Sequence, residues 1–263
     1  MSIERVPVLM YHRVGKVRDQ RAARFSITPA DFSAHMRALA RSGYHAVSMH
    51  AFLAWMEAGQ PLTEGAFLLT FDDGYRGVLE HAQPVLEELR WPFNIFLVSD
   101  LIGGTDAWIK PTGSNDESHP LLNAQEILDM RQHGCEFHSH ARSHPRLTEL
   151  SDAELADQLG GSRAALTELL GQEVTCLAYP FGLHDDRVVA AARAAGYRAA
   201  FSTRSGFNNR RLDRYRIRRL DVQGNDSPAM LLRKIRLGSN DGRRSTMIRY
   251  YLRNIVSRIG GRP

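Results

Sequence analysis

The chain has 263 residues, of which 43% are hydrophobic and 24% are charged, a composition typical of soluble globular proteins. This length can bury the core of one large α/β domain, and no apolar run approaches the roughly 18 residues that span a bilayer. The net charge of +5 conceals an asymmetry, because residues from Arg204 onward include 16 Lys/Arg and 4 Asp/Glu, against 18 and 25 in residues 1–203. The basic last quarter indicates an anionic surface or substrate nearby.

The N-terminal sequence MSIERVPVLMYHRV places charged residues before a short strand-like run and lacks the apolar segment of a signal peptide. We therefore expect a cytoplasmic protein, or one that lies peripherally on the inner face of the membrane. Cys135 and Cys176 each begin an apolar run, and their spacing indicates neither a metal nor a redox site. We interpret both as small buried hydrophobic residues in a reducing compartment.

Strand-like runs alternate with helix-like segments along most of the chain. A helix is predicted from Pro29, with Thr28 as N-cap, and another after the capping box Ser151-x-x-Glu154. Further helices are expected around 52–56 and over 76–89, 124–133 and 185–195, and strands over 6–11, 44–47, 66–71, 93–98, 135–140, 175–180, 197–202 and 215–222. Apolar strands separated by helices indicate a parallel sheet covered on both faces. About seven such units predict a closed or nearly closed (β/α) barrel, whose chemistry is expected at the C-terminal ends of the strands.

The strand over 66–71 runs directly into Asp72-Asp73-Gly74. Adjacent carboxylates raise each other's pKa unless something compensates their charge. A metal ion would do so and would separate their roles, with one Asp as ligand and the other as general base. In isolation, the same three residues would also suit a turn with helix-capping aspartates.

Histidines follow the strand over 135–140 in the sequence His138-Ser139-His140-Ala141-Arg142-Ser143-His144. The i, i+4 spacing of His140 and His144 allows a turn to place both imidazoles on one side. With Asp73 they form a plausible divalent-metal set that leaves coordination positions open for water and substrate. His138 belongs to the strand itself and has either a packing role or a supporting role behind the site.

A third strand end carries Tyr179-Pro180-Phe181-Gly182. A turn constrained by proline and relieved by glycine can direct a backbone N–H into the site, as an oxyanion hole requires.

Taken together, TFDDGY, His140-x-x-x-His144-Pro145 and YPFG resemble the polysaccharide deacetylase (NodB-homology) family, also called carbohydrate esterase family four. The resemblance covers roughly residues 6–222. It implies an α/β fold, a distorted (β/α) barrel of seven or eight mostly parallel strands, and the hydrolysis of acetyl groups on sugars.

The resemblance also implies a role for each matching residue. Asp72 would be the general base that activates water, and the backbone N–H of Phe181 would help to stabilise the oxyanion. A divalent metal would be held by Asp73, His140 and His144, with zinc expected first and cobalt, nickel or manganese as alternatives.

Two positions depart from the family pattern. Ala141 stands where Ser or Thr usually follows the first metal histidine, and Ala178 stands where many members have an arginine that pairs with the catalytic Asp. Arg219 or Arg218 on the last predicted strand could supply that guanidinium, and we favour Arg219.

The usual C-terminal histidine that acts as general acid is absent, since no histidine follows His184. However, the run from Val6 to His12 resembles the start of a circularly permuted subgroup, in which an N-terminal strand ending in Tyr-His supplies the acid. Amide cleavage needs a proton donor for the leaving amine. We therefore assign His12 as general acid.

The sequence thus predicts a metal-dependent hydrolase that removes N-acetyl groups from an amino-sugar polysaccharide, oligosaccharide or lipid-linked glycan. An O-acetyl esterase of the same fold is the alternative enzyme, and a catalytically silent sugar-binding member is the alternative without catalysis. A nucleic-acid binder would rest on the C-terminal charge alone, and we expect no nucleic-acid partner.

Two further segments carry expectations. We divide the chain into a barrel domain, 1–240, and a basic amphipathic C-terminal segment, 241–263, in which apolar residues such as Ile248 and Leu252 recur at helical spacing. That segment could pack on the barrel or lie on anionic lipid. The loop from Gly103 to His119 is expected to shape the substrate groove, with Trp108 as a candidate for stacking on a sugar or for anchoring the loop.

Overall fold

The computed structural model describes residues 3–17, 24–109, 118–243 and 245. Within these residues the strands are β1 (Val8–Tyr11), β2 (Arg13–Val14), β3 (Ser26–Ile27), β4 (His45–Val47), β5 (Ala66–Phe71), β6 (Phe93–Leu97), β7 (Cys135–Ser139), β8 (Cys176–Ala178), β9 (Ala199–Phe201) and β10 (Leu220–Asp221). The helices are α1 (Pro29–Arg41), α2 (Met49–Ala58), α3 (Gln83–Leu89), α4 (Ala124–Arg131), α5 (Asp152–Ala156), α6 (Ser162–Leu170), α7 (Asp186–Ala194) and α8 (Pro228–Leu237). Single π-helical turns at Val78–Ala82 and Asp157–Gly161 lead into α3 and α6.

The main sheet is parallel throughout and curls, with the strand order β10-β1-β5-β6-β7-β8-β9. β4 pairs with the first half of β5, whereas β6 pairs with its last two residues. β2 and β3 form a separate two-stranded parallel sheet. The predicted (β/α) barrel fold is therefore confirmed.

The predicted strand over 215–222 is wrong in extent, since only Leu220–Asp221 forms a regular strand. Ile217 bridges to Phe201 of β9, and Leu220 then pairs with Leu9 of β1. The segment thus passes from the β9 edge of the curled sheet to β1 near the other edge. Its pairing with each of these strands is therefore short. This crossing brings the two edge strands together around Arg219.

Two apolar layers lie on opposite faces of the sheet. Inside the curl, Val8, Leu68, Phe96 and other buried side chains pack against α2. On the outer face, alternate residues such as Leu9 and Leu69 pack with α1, α3, α4, α6, α7 and α8. Because side chains alternate along a strand, the inward register continues past the strand ends to His12, Asp72 and His140.

The two helix caps predicted from the sequence are confirmed. Thr28 caps α1 by accepting a hydrogen bond from the Asp31 N–H, and Ser151 and Glu154 form the capping box of α5. Helix α8 was not predicted from the sequence, although Ser227 as N-cap and Pro228 at the first helical position mark its start. It packs against α1, where the buried Lys234 and Asp226 form an ion pair.

Most of the basic amphipathic segment predicted over 241–263 lies outside the described residues, which near this end are those up to 243 and Ser245. Among the described residues, no helix combines the length and the apolar character that crossing a membrane requires.

Candidate metal centre and active site

The candidate site lies where neighbouring strands end. Asp72 and Asp73 follow β5, His140 follows β7, and His12 follows β1. Since all these strands are parallel, their C-terminal ends share one rim of the curled sheet. The structure therefore brings together residues that stand far apart in the sequence.

Asp73, His140 and His144 form a buried three-residue cluster. The Asp73 Oδ1 atom lies 3.4 Å from Nε2 of His140 and 3.4 Å from Nε2 of His144. The three candidate ligand atoms all lie within 4.8 Å of one another. Asp73 Oδ1 is buried and has no hydrogen-bond partner among the described residues. A buried carboxylate oxygen between two imidazole nitrogens suits a divalent cation.

A backbone carbonyl sets the orientation of His140. Its Nδ1 lies 2.7 Å from the carbonyl oxygen of Ala178, so Nδ1–H donates and Nε2 faces Asp73. Metal-binding histidines are commonly oriented in this way by a second hydrogen bond. Ala178, where the family arginine is missing, thus supports the site through its main chain.

Unusual backbone conformations concentrate at this rim. Among the described residues, five non-glycine residues have positive φ, and four of them lie at the site: Asp73 (76°), Ala141 (63°), His144 (61°) and Phe181 (57°). Such conformations are unfavourable for residues with a Cβ atom and are retained mainly where the surroundings enforce them. Here they turn the chain immediately after strand ends, which directs side chains into the rim.

Asp72 lies beside the cluster and is paired with an arginine. Nη1 and Nη2 of Arg219 donate to its two carboxylate oxygens at 2.6 and 2.7 Å, and both side chains are buried. Arg219 Nε donates to the carbonyl oxygen of Ser202 at 3.0 Å, which fixes the guanidinium plane. Arg218, the alternative from the sequence, instead makes two backbone hydrogen bonds with the Asn208 side chain.

The charges around Asp72 and Asp73 hold both carboxylates ionised. Burial raises the pKa of Asp72, but the charges of Arg219 and His140 outweigh it and bring the pKa below its ordinary value. Burial likewise raises the pKa of Asp73, but its contacts with His140 and His144 outweigh burial and bring the pKa well below its ordinary value. Asp72 therefore remains a proton acceptor at neutral pH.

The two histidines respond to these carboxylates in opposite directions. Burial lowers the pKa of His140, but the neighbouring Asp72 and Asp73 raise it above its ordinary value. For His144, burial and the charge of His140 prevail and lower the pKa to about 4. A neutral His144 has the lone pair that a metal ligand requires.

His12 lies at the same rim, half-buried, with its ring edge-on to Phe25 at 5.1 Å between centroids. The Asp72 N–H donates to the carbonyl oxygen of Tyr11 at 2.9 Å, so His12 and Asp72 follow adjacent strand ends. The His12 Nδ1 atom is buried and has no hydrogen-bond partner among the residues described.

Phe181 lies in a short turn, Pro180–Gly182, after β8. Its ring contacts His144 edge-on at 4.5 Å and remains 48% exposed. The turn predicted from the proline and the glycine thus lies at the rim, with the left-handed conformation at Phe181 itself.

His138 and Ala141 have structural surroundings. His138 lies inside the curl, where Nε2 is 3.3 Å from Asn94 Oδ1, and burial lowers its pKa to about 3. Although Ala141 lacks a hydroxyl, its N–H donates to Ser139 Oγ at 3.2 Å and its carbonyl accepts from Ser162 Oγ at 3.1 Å. Sequence reasoning missed both serines, and Ser162 lies too far along the chain for any local pattern to indicate it.

Trp108 lies against the site. Its ring stacks on His144, with centroids 4.7 Å apart and planes at 29°. The described part of the loop that is expected to shape the groove therefore contacts His144, one of the proposed metal ligands.

The family model for polysaccharide deacetylase matches residues 59–200. The chain belongs to this family. The Bacillus subtilis protein YxkH is 26% identical over 226 residues, covering 86% of this chain and 73% of that protein. A poly-β-1,6-N-acetyl-D-glucosamine N-deacetylase of Staphylococcus aureus is 22% identical over 214 residues, covering 74% of this chain and 70% of that protein.

Solved structures with this fold include the deacetylase PplD from Streptococcus pyogenes in complex with acetate. It aligns with a TM-score of 0.77 and 22% identity, over 89% of this chain and 99% of that one. IcaB from Ammonifex degensii aligns with a TM-score of 0.74 and 23% identity, over 88% of this chain and 97% of that one. These similarities support the same curled parallel sheet with surrounding helices.

Proposed function

We propose that this protein is a metal-dependent hydrolase that removes N-acetyl groups from an amino-sugar polysaccharide, oligosaccharide or lipid-linked glycan. The observation that carries the proposal is the juxtaposition of the Asp73–His140–His144 cluster with the Asp72–Arg219 pair at one rim. A binding module would need no ionised buried carboxylate next to a potential metal site.

Asp73, His140 and His144 would hold a divalent metal, zinc first among the candidates. One carboxylate and two imidazoles form a donor set that zinc accepts, and cobalt, nickel or manganese would also bind it. When bound, such an ion lowers the pKa of water and polarises a carbonyl group. The orphaned Asp73 Oδ1 supports this assignment, since it lacks any other partner within the described residues.

Asp72 accepts the proton of the attacking water. Its two oxygens each receive one N–H of Arg219, and each keeps a further lone pair for a proton. Arg219 contacts Asp72, and its proposed role needs no contact with the substrate. It acts by positioning the carboxylate and by keeping it charged.

His12 donates a proton to the departing nitrogen. Water oxygen adds to the acetyl carbon, the bond from that carbon to nitrogen breaks, and the products are acetate and the free amine. The N–H of Phe181 stabilises the negative oxygen that develops on the acetyl group. His12 is proposed as the acid because it follows β1 at the same rim where Asp72 follows the neighbouring β5.

The proposed substrate class follows from the relatives. The Staphylococcus aureus relative acts on poly-β-1,6-N-acetyl-D-glucosamine, and we propose a related N-acetylated glycan here.

We also propose the division into a catalytic domain, 1–240, and a basic C-terminal segment, 241–263. The basic composition of that segment is the support for a peripheral contact with anionic lipid, where a lipid-linked glycan would be met.

The test is acetate release from N-acetylglucosamine oligomers, with acetylated xylan as the ester substrate, in wild type and Asp72→Asn. We expect wild type to deacetylate the amide substrate and Asp72→Asn to lose at least about 100-fold in kcat, the usual contribution of a general base. Metal content measured on the same samples should be equal. Preference for xylan would favour the O-acetyl esterase, and equal activity in Asp72→Asn would contradict the proposed mechanism.

A further inference from the structure

The two histidines of the candidate metal cluster are held in different ways. His140 Nδ1 is hydrogen-bonded to the carbonyl oxygen of Ala178. His144 Nδ1 is buried and has no hydrogen-bond partner within the described residues. Because a metal-binding histidine almost always donates its second N–H to a partner, another kind of contact has to orient the His144 ring.

Aromatic rings supply that contact. Trp108 stacks on His144 at 4.7 Å and 29°, and Phe181 meets the ring edge-on at 4.5 Å and 65°. Each distance lies in the range where aromatic pairs attract one another beyond the effect of burial. The His144 ring is thus held by Trp108 and Phe181, on a backbone that is itself in the left-handed region.

Asp106 holds the loop that carries Trp108. This carboxylate is buried, accepts the His119 N–H at 2.7 Å through Oδ1, and accepts the Tyr75 hydroxyl at 3.2 Å through Oδ2. The carbonyl oxygen of Asp106 accepts the Ile109 N–H at 3.0 Å, which closes a turn around Trp108. Tyr75 is two residues from Asp73. Its hydrogen bond to Asp106 therefore connects the turn around Trp108 to the segment that carries Asp73, a proposed metal ligand.

We infer that Trp108 and Phe181 position His144 for the metal in place of a hydrogen bond, and that Asp106 acts through Trp108. Trp108 and Asp106 are positioning residues and not catalytic ones. The inference rests on the proposed function only in that His144 binds a metal. It assigns Trp108 a role different from that of a sugar-stacking platform.

The test is the dissociation constant for zinc, measured with the metal-free protein by competition against a chromogenic chelator. Loss of an orienting partner typically weakens metal binding 10- to 100-fold, and we expect about tenfold in Trp108→Ala and in Trp108→Leu. Trp108→Phe keeps a ring over His144 and should stay within about threefold of wild type. Ile109→Ala is the matched control, since Ile109 is an exposed neighbour in the same loop, and should bind zinc as wild type does.

Two further readouts separate positioning from other roles. Cobalt(II) absorption spectra should change in Trp108→Leu and not in Ile109→Ala, because the imidazole changes its orientation. The thermal midpoint of the metal-free protein should differ little between these two variants. Such a result would show that weaker zinc binding in Trp108→Leu does not come from a general loss of folding.

Wild-type zinc affinity in Trp108→Leu, with a raised KM for the glycan, would overturn the inference and make Trp108 a sugar-stacking residue. The reverse result, weakened zinc binding in a protein that releases acetate from no substrate, would support the inference while contradicting the proposed function. Zinc affinity therefore tests the positioning of His144, and acetate release separately tests the proposed function.

Discussion

Arg219 donates two parallel hydrogen bonds to Asp72 across 147 residues of sequence, and neither side chain is more than 3% exposed. The pair joins the end of β5 to the segment that crosses between the two edges of the sheet. The interaction therefore links the geometry at the rim to the segment that closes the sheet. We therefore expect substitution of Arg219 to change activity and stability together.

Replacing Arg219 with methionine should lower the stability of the protein by about 3–5 kcal/mol, because it leaves a buried carboxylate without its partner. It should also raise the pKa of Asp72, since the positive charge that lowers it is gone. The acid limb of kcat/KM should consequently move to higher pH, with kcat reduced even on the plateau. Urea unfolding and acetate release from pH 4 to pH 9 would measure both effects.

Arg219→Lys is the matched variant, because it keeps the charge and loses the two-pronged geometry. We expect its acid limb to lie between those of wild type and Arg219→Met. If Arg219→Met kept the wild-type pH profile, the assignment of Asp72 as the general base would have to be abandoned.

His12→Gln should reduce kcat on an N-acetylated glycan by about 10²–10⁴-fold, the contribution typical of a general acid. An aryl acetate has a leaving group that departs without a proton, so the same variant should lose far less activity on it. Steady-state kinetics on the two substrates measures the difference. Phe25→Ala, which removes the ring that contacts His12, should affect both substrates alike; equal losses in His12→Gln would argue against an acid role.

Removing the metal should abolish acetate release and lower the thermal midpoint. A ligand present at 100 times its dissociation constant stabilises the folded state by about 2.7 kcal/mol, and that stabilisation disappears with chelation. Re-addition of zinc should restore both properties. Elemental analysis and calorimetry with and without chelator would measure them.

Asp73→Asn provides the matched control for metal removal, because it weakens the carboxylate ligand while Asp72 and Arg219 stay in place. Chelator should then cause little further loss of stability. A midpoint in Asp73→Asn that still rises with zinc as in wild type would contradict the assigned ligand set.

The buried His35 should make stability fall as pH decreases below about 6.5, the ordinary pKa of histidine. Its Nε2 donates to the carbonyl oxygen of Asp226, and its Nδ1 accepts the Tyr11 hydroxyl, so the native contacts require the neutral ring. Burial lowers its pKa, although the contacts with Asp226 oppose this effect. The unfolded state thus binds a proton that the folded state does not, and stability is full above pH 6.5 and lost progressively below it.

The slope from this one group is at most about 1.4 kcal/mol per pH unit. His35→Gln does not titrate, so its unfolding free energy should vary less between pH 7 and pH 5 than that of wild type. Denaturant unfolding of metal-free protein at several pH values would measure this, and identical slopes would show that His35 does not contribute.

Much of the candidate site could be predicted from the sequence because its residues directly follow strands. An apolar run that ends in Asp72-Asp73, or in His140, marks a strand end. In a parallel sheet, strand ends meet whatever the length of chain between them. The alternation of side chains then directs Asp72, His140 and His12 to the same face. These conclusions need only local patterns and one rule of architecture.

The tertiary structure decided what depends on closing the sheet. Arg219 meets Asp72 because the segment around it crosses from β9 to β1, and this crossing also divides the strand predicted over 215–222. The carbonyl of Ala178 orients His140, and Trp108 stacks on His144, through contacts between segments that no local periodicity links. The sequence by itself therefore determined which side chains meet at the rim, since those follow strand ends. Packing between distant segments decided which neighbours hold them in place.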